Sequence, residues 1–309
     1  MKKFNIDFYK NKKIFFTVSI AVLVIGLVCN FIFGAKLDIQ FAGGAMIKYS
    51  IDGEVDSNEI ASLVQEVTDR TVSVATNQSI GSDGYQVTIS FAGNEAVTLE
   101  QQQQIAQSLS DAYADRTFSV IESSSVDPTM GARFFQKCIV CLLITFAILL
   151  AYIALRFKKI GGLSAGVTAI IALLHDVLIV YFAFIIFGFS INDVFIAVIL
   201  TILGYSLNDT IVIYDRIREN RKLEPTKSAA ALPAIVNKSL NQTMMRSILT
   251  SLTTFMALLV VFIVATIYGL TTVQTFALPM MVGVIVGCYS SLCIAAPLYT
   301  MWVVHKAKK

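Results

Sequence analysis

Six long apolar runs dominate the chain, and one long stretch between the first two alternates instead. The runs cover approximately Ile14–Gly34, Phe134–Leu155, Leu163–Phe187, Asp193–Ile213, Ile248–Tyr268 and Thr275–Val304. Each is near or above the ~20 residues a helix needs to cross a bilayer. The first is too long for the apolar part of a signal peptide, and Phe33-Gly34-Ala35 makes a poor cleavage site, so it is expected to stay as an anchor. The last run is overlong and holds Pro279 and Pro297. That predicts a kink, a tilt or a part outside the bilayer.

The stretch from Lys36 to Pro128 has the patterns of a folded domain. Ala45–Ile51 alternates like a strand, and Ser57 can cap a helix running to about Asp69. Thr71–Ile80 and Tyr85–Phe91 read as two strands joined by the Gly81-Ser-Asp-Gly84 turn. Thr98 with Gln101 forms a capping box for a helix through Ala114, and Phe118–Val126 reads as a last strand. The order β-α-β-β-α-β predicts a ferredoxin-like arrangement. That fold alone settles no function.

Composition agrees with the pattern: 56% of the 309 residues are hydrophobic and 15% charged. A soluble globular chain is excluded, and the expected fold class is an α-helical polytopic membrane protein with an inserted α+β domain. Residues 1–35 are assigned to the N-terminus and first span, 36–130 to the inserted domain, and 131–309 to the remaining spans with a basic loop at 214–247. The net charge of +3 hides an asymmetry. Lys2, Lys3, Lys10, Lys12 and Lys13 precede the first span, and Arg156, Lys158 and Lys159 follow the second. Arg216, Arg218, Arg221, Lys222, Lys227 and Lys238 lie between the fourth and fifth, and Lys306, Lys308 and Lys309 end the chain. With six spans these segments share one side, which the positive-inside rule makes cytoplasmic. The inserted stretch, with 14 acidic residues against 4 basic ones, falls on the other. All five cysteines sit in apolar runs, so no disulfide framework is expected, and Cys138-x-x-Cys141 reads as packing.

Against this background Asp209 stands out. An ionised Asp at the centre of a bilayer helix costs roughly 2.5–3.5 kcal/mol on insertion scales. Either the fourth helix runs past the bilayer and water reaches Asp209, or a protonatable carboxylate faces the bundle with Asn208 and Thr210 as hydrogen-bonding neighbours. Burial disfavours such a charge and a nearby cation favours it. Arg246 is the candidate cation, or an ordinary basic flank; Thr250 lies four residues on and shares its face. Thr250, Ser251, Thr253 and Thr254 make this part of the fifth run hydroxyl-rich, which also suits plain helix–helix contact. His175-Asp176 interrupts the third run, either pinning neighbouring helices or adding a step to the same proton path. Asp193 suits a helix N-terminus and is read as structural. Gly283-x-x-x-Gly287 is read as close helix contact. The basic connection Arg216–Lys238 is expected against anionic lipid, or else against a cytosolic protein.

Four stretches together resemble a known family. They are Asp38-Ile-Gln-Phe-Ala-Gly-Gly44, Val126-Asp-Pro-Thr-Met-Gly131, Gly204-Tyr-Ser-Leu-Asn-Asp-Thr-Ile-Val-Ile-Tyr-Asp-Arg-Ile-Arg-Glu219 and Asn241-Gln-Thr-Met-Met-Arg-Ser-Ile-Leu-Thr-Ser-Leu-Thr-Thr254. The chain resembles SecF, the smaller membrane subunit of the SecD–SecF accessory complex of bacterial protein export. The resemblance implies a six-span half of an RND-like transporter that pairs with SecD in the cytoplasmic (inner) membrane. It also implies use of the proton motive force to help unfolded polypeptides leave SecYEG, with YajC as a further companion. It places Asp209 at the family's proton-path carboxylate, Arg246 at its partner arginine and Thr250 at a hydroxyl position one turn on. Ile39-Gln40 before Phe41 departs from the family pattern, so the first motif is assigned a structural role, its glycines admitting a turn into the first strand.

No enzyme, cofactor, metal or nucleic-acid function is expected, and no Gly-x-x-x-x-Gly-Lys loop is present. A drug or lipid exporter shares the architecture, but the inserted domain is small for a substrate vestibule. An intramembrane aspartyl protease needs a second facing Asp, and no Gly-x-Gly-Asp partner accompanies Tyr214-Asp215. A passive scaffold for the translocon is the remaining alternative.

Overall fold

The computed structural model describes residues 6–38, 41, 43–53, 55–70, 72–78, 84–91, 97–113, 115–126, 128–224, 229–268 and 270–308. Six of its helices are long and apolar enough to cross a membrane. They are α1 (Lys12–Phe33), α4 (Pro128–Arg156), α5 (Gly162–Ile186), α6 (Asp193–Leu223), α7 (Leu232–Ile267) and the pair α8 (Thr271–Ser290) and α9 (Ala296–Lys308), which act as one span. The overlong last run is continuous but not uniform. Ser291–Ala295 between α8 and α9 form a buried π-helical turn, and Pro279 lies inside α8.

The inserted domain holds β1 (Gly44–Asp52), α2 (Ser57–Thr68), β2 (Val72–Gln78), β3 (Gly84–Phe91), α3 (Leu99–Ala112) and β4 (Phe118–Val126). Its sheet runs β2-β3-β1-β4 with every pair antiparallel, the ferredoxin-like order. Alternation decides which face is covered. Ala45, Ile47, Tyr49 and Ile51 from β1 meet Val87, Ile89 and Phe91 from β3, and Ile60, Val64, Ile105 and Leu109 close the core from the two helices. The Thr98–Gln101 capping box forms in both directions. At the other helix the cap is Asp56, whose carboxylate accepts the Asn58 amide at 2.8 Å, so the expected Ser57 becomes the first helical residue. Gly81–Asp83 of the expected turn, Ile39-Gln40 and Asp127 lie outside the described residues. Gly43 and Gly44 have φ of 78° and 136°, the turn into β1 that their lack of a Cβ permits.

In the membrane region α5, α6 and α8 pack on one another, α1 and α4 lie against α5, and α7 lies against α6 and α8. Most of α5, α6 and α8 is therefore buried, while α1, α4 and α7 are largely exposed. The helices at the basic connection run further than hydropathy predicts. Segment 214–247, expected as a loop, is helical on both sides of 224–231 because α6 continues to Leu223 and α7 starts at Leu232. The extensions form a helical hairpin: Asn220 donates to Ser239 and Gln242, both at 2.8 Å, and Arg216 donates to Gln242 at 2.6 Å. The segment before α1 is tied to α7. Asn241 donates to the Ile6 carbonyl and accepts the Ile6 amide, Asn237 accepts the Tyr9 amide, and Phe8 is buried.

One further tie joins the membrane region to the inserted domain. Leu37 and Ile191 form an isolated parallel β-bridge, with Ile191 donating to the Lys36 carbonyl at 2.8 Å and accepting from the Asp38 amide at 3.1 Å. Asn192 then caps α6, its side chain accepting the Phe195 amide at 3.2 Å, and Asp193 opens the helix as expected.

Candidate functional site: a buried carboxylate at the centre of the bundle

Asp209 lies 16 residues after the first residue of α6, ~24 Å along its axis, and the helix continues beyond it to Leu223. Asp209 is only 5% exposed, and its Oδ2 atom has no hydrogen-bond partner. Across the interface with α7 lies Ser247, fully buried, whose Oγ is likewise without a partner. Ser247 is the side chain nearest in role to a hydrogen-bonding neighbour of Asp209, and the charge of Arg246 reaches the carboxylate from the adjoining position. No guanidinium–carboxylate pair joins Arg246 to Asp209 within 4.0 Å among the described residues. The site thus holds a carboxylate, a hydroxyl and a nearby cation with hydrogen-bonding capacity left over.

The sequence of α7 explains why Ser247 and Arg246 part. Ser239, Thr243, Ser247 and Ser251 recur every fourth residue and are all buried, a narrow hydroxyl stripe facing α6 and α8. Tyr205 donates to Ser251 at 3.1 Å within this seam. Arg246 and Thr250 lie on the neighbouring, exposed stripe. There Thr250 donates to the Arg246 carbonyl, and Thr253 and Thr254 donate to the Thr250 carbonyl. Thr250 is thus brought to Arg246 but not to Asp209.

His175 and Asp176 form a second polar centre. Asp176 is completely buried and accepts from Ser206 Oγ on α6 and Ser290 Oγ on α8, both at 2.7 Å, with His175 Nδ1 at 3.1 Å. His175 Nε2 is buried without a partner. Ser206 lies one turn before Asp209, so this cluster ends close to the Asp209 face of α6. The seam is narrow because Gly283 and Gly287 of α8 face α6. A Cβ on Gly283 would fall 2.1 Å from Ile202 Cδ1, and one on Gly287 would fall 3.0 Å from Ser206 Cβ.

Two expected neighbours of Asp209 do not serve it. Asn208 is exposed, and Thr210 is buried but donates to the Ser206 carbonyl at 3.2 Å and pairs with Ser291 Oγ at 2.9 Å. Adjacent residues on a helix diverge by about 100°, so neither flank shares the Asp209 face. Ser206, Ser247, Ser290 and Ser291 were absent from the sequence-based site. The four-residue spacing of small hydroxyl residues on α7 was the signal that could have found Ser247.

The family model described as "Protein export membrane protein SecD/SecF, C-terminal" matches residues 105–305. The protein translocase subunit SecF of Petrotoga mobilis is 34% identical over 308 residues, covering 99% of this chain and 98% of that one. SecF of Alicyclobacillus acidocaldarius is 32% identical, covering 98% and 94%. SecDF of Bacillus subtilis is 32% identical over 98% of this chain, which spans only 39% of that longer protein. The crystal structure of SecDF from Thermus thermophilus, a translocon-associated membrane protein, superposes with a TM-score of 0.79 at 26% identity, over 96% of this chain and 38% of that one. Six spans, an inserted ferredoxin-like domain and full-length similarity agree, and the chain belongs to the SecF family of protein translocase subunits.

Proposed function

We propose that this chain is the SecF half of an RND-like, proton-driven accessory translocase, paired with a SecD half in the cytoplasmic membrane and helping polypeptides leave SecYEG, with YajC as a further companion. The chain acts as an accessory subunit rather than an enzyme. Both termini and the basic connection face the cytoplasm, and the acidic inserted domain faces outward, as the Lys and Arg distribution favours. Pairing with SecD is supported by the SecDF relatives, in which a chain like this one is part of a longer protein.

The observation that carries the reading is the unpartnered oxygen of buried Asp209 beside Ser247 and within the field of Arg246. A carboxylate whose Oδ2 is unpartnered, with only the Ser247 hydroxyl beside it, has an oxygen free to take up and release a proton. Separation from Arg246 favours the protonated form, and approach favours the ionised form. The exposed face of α7 supports an assembly that controls this approach. Leu249, Leu252, Met256, Val260 and Ile263 continue the face of Arg246 as an apolar stripe. A SecD half seated there encloses Arg246 and Thr250 in a dry seam. Asp176, held by two serines and His175, serves as the fixed neighbour of the path.

One proton moving down the membrane potential supplies roughly 2.3 kcal/mol per 100 mV. That biases a two-state rocking of the helices but does not unfold a domain, so a ratchet on an emerging chain fits the magnitude. The Ile191–Lys36 bridge offers a mechanical route from α6 to the inserted domain. The test is gradient-dependent export into vesicles holding the SecD-bound complex. Asp209→Asn is expected to lower export to the level seen without a proton gradient while the complex still assembles; full export by that variant contradicts the reading.

A further inference from the structure

A cavity of about 250 Å³ lies between the 3₁₀ turn Lys158–Ile160 and the last turns of α6, at the end of the bundle that carries the basic connection. It is lined by Lys159, Ile160, Arg218, Arg221 and Lys222, four cations and one apolar residue. Two carboxylates of the last turns of α6 are already engaged. Asp215 binds Arg218 at 2.6 Å and Arg156 at 3.4 Å, and Glu219 binds Arg216 at 2.6 Å. Among the described residues no carboxylate lies within 4.0 Å of Lys159, Arg221 or Lys222.

Two of the cations, Arg221 and Arg218, are also held in place. Arg221 donates to the Ile160 carbonyl at 3.4 Å, and that same carbonyl accepts from Tyr299 at 2.6 Å, so the wall of the cavity is anchored to α9. Arg218 is braced by Asp215 on one side and the Phe157 ring on the other. Leu155 and Leu163, both strongly exposed, flank the turn on its membrane side. Charge above and exposed hydrocarbon below is the arrangement that an anionic phospholipid matches, with its phosphate among the cations and its acyl chains along α4 and α5.

We propose that this cavity is a specific site for the phosphate headgroup of an anionic phospholipid from the leaflet facing the basic connection. Arg221, Lys222 and Lys159 bind the phosphate oxygens, Arg221 by its planar pair of N–H donors. The site does not depend on the proton reading: it uses none of the residues around Asp209. A free phosphate shares the same chemistry but lacks the acyl contacts, and an acidic segment of a cytosolic protein is the other competing occupant.

Native mass spectrometry of the full chain, released from nanodiscs of equal phosphatidylglycerol and phosphatidylethanolamine, tests this. Wild type is expected to retain phosphatidylglycerol at least ~10-fold over phosphatidylethanolamine. The variant Lys159→Gln/Arg221→Gln/Lys222→Gln is expected to lose that preference, and Lys159→Gln alone, on an exposed turn, to weaken it about threefold. The control Lys10→Gln/Lys13→Gln removes charge on the same side and is expected to leave the preference intact. Millimolar inorganic phosphate is expected not to displace the lipid. Unchanged retention in Lys159→Gln and the triple variant overturns the site, as does equal loss in the control. Displacement by inorganic phosphate, or absence of lipid selectivity in wild type, assigns the cavity to a free anion or a protein segment and overturns the lipid proposal.

Discussion

The amide of Ile191 donates to the carbonyl of Lys36 at 2.8 Å, joining the start of the Asp209 helix to the chain that enters the inserted domain. With the Asp38 amide donating back to Ile191, two backbone bonds worth about 0.5–1.5 kcal/mol each carry this link. Ile191→Pro removes the Ile191 donor just outside the α6 cap. The expected outcome is export reduced several-fold with proton flux preserved, whereas Ile191→Val, which keeps the donor, leaves both intact. Export unchanged in Ile191→Pro removes this link from the mechanism.

Asp176 is tied to α6 and α8 through Ser206 and Ser290. Removing one donor by Ser290→Ala is expected to cost about 1–2 kcal/mol of stability, between the average interhelical bond in a membrane and a bond to a charged acceptor. Thermal unfolding in detergent measures it. Proton flux is expected to stay within about twofold of wild type at matched folding, since Ser290 touches Asp176 and not Asp209. A large loss of flux without loss of stability makes Asp176 a proton carrier instead.

Gly283 allows Ile202 to reach the backbone of α8. Gly283→Val overpacks this seam and is expected to destabilise the bundle by about 1–3 kcal/mol. Adding Ile202→Ala makes room and is expected to recover at least half of the loss. Simple additivity of the two changes contradicts the contact.

Tyr49 supplies a pH test in the inserted domain. Burial pushes its hydroxyl from the ordinary 10.0 up to about 12, and its oxygen has no partner. A raised folded value favours the neutral form, so its contribution is fully present below about pH 10 and is lost as pH rises towards 12. The loss is on the order of 2–3 kcal/mol. Tyr49→Phe is expected to be neutral or slightly stabilising at pH 7, because no hydrogen bond is lost, and to flatten this part of the alkaline unfolding curve. An unchanged alkaline transition in Tyr49→Phe contradicts the assignment.

Much of this architecture was legible because a bilayer demands continuous apolar runs, which single out spans without reference to packing. The inserted domain was legible for another reason: Ala45, Ile47, Tyr49 and Ile51 alternate, and Thr98–Gln101 is a cap with fixed spacing. Helix ends were not, since hydropathy reports contact with lipid and α6 and α7 continue past it to Leu223 and from Leu232. Asp209 drew attention as the costly charge, but its surroundings did not follow from neighbours in sequence. Asn208 and Thr210 point elsewhere, while Ser247 arrives from another helix. The π turn at Ser291–Ala295, where Ser291 pairs with Thr210, has no sequence signal of its own.

The most direct measurement is proton uptake by vesicles holding the assembled SecD–SecF complex under an imposed gradient. Wild type is expected to conduct, Asp209→Asn to fall to the rate of protein-free vesicles, and Ser247→Ala, which keeps the carboxylate, to retain most of the flux. Wild-type flux persisting in Asp209→Asn contradicts the account and leaves this chain as a passive part of the translocase.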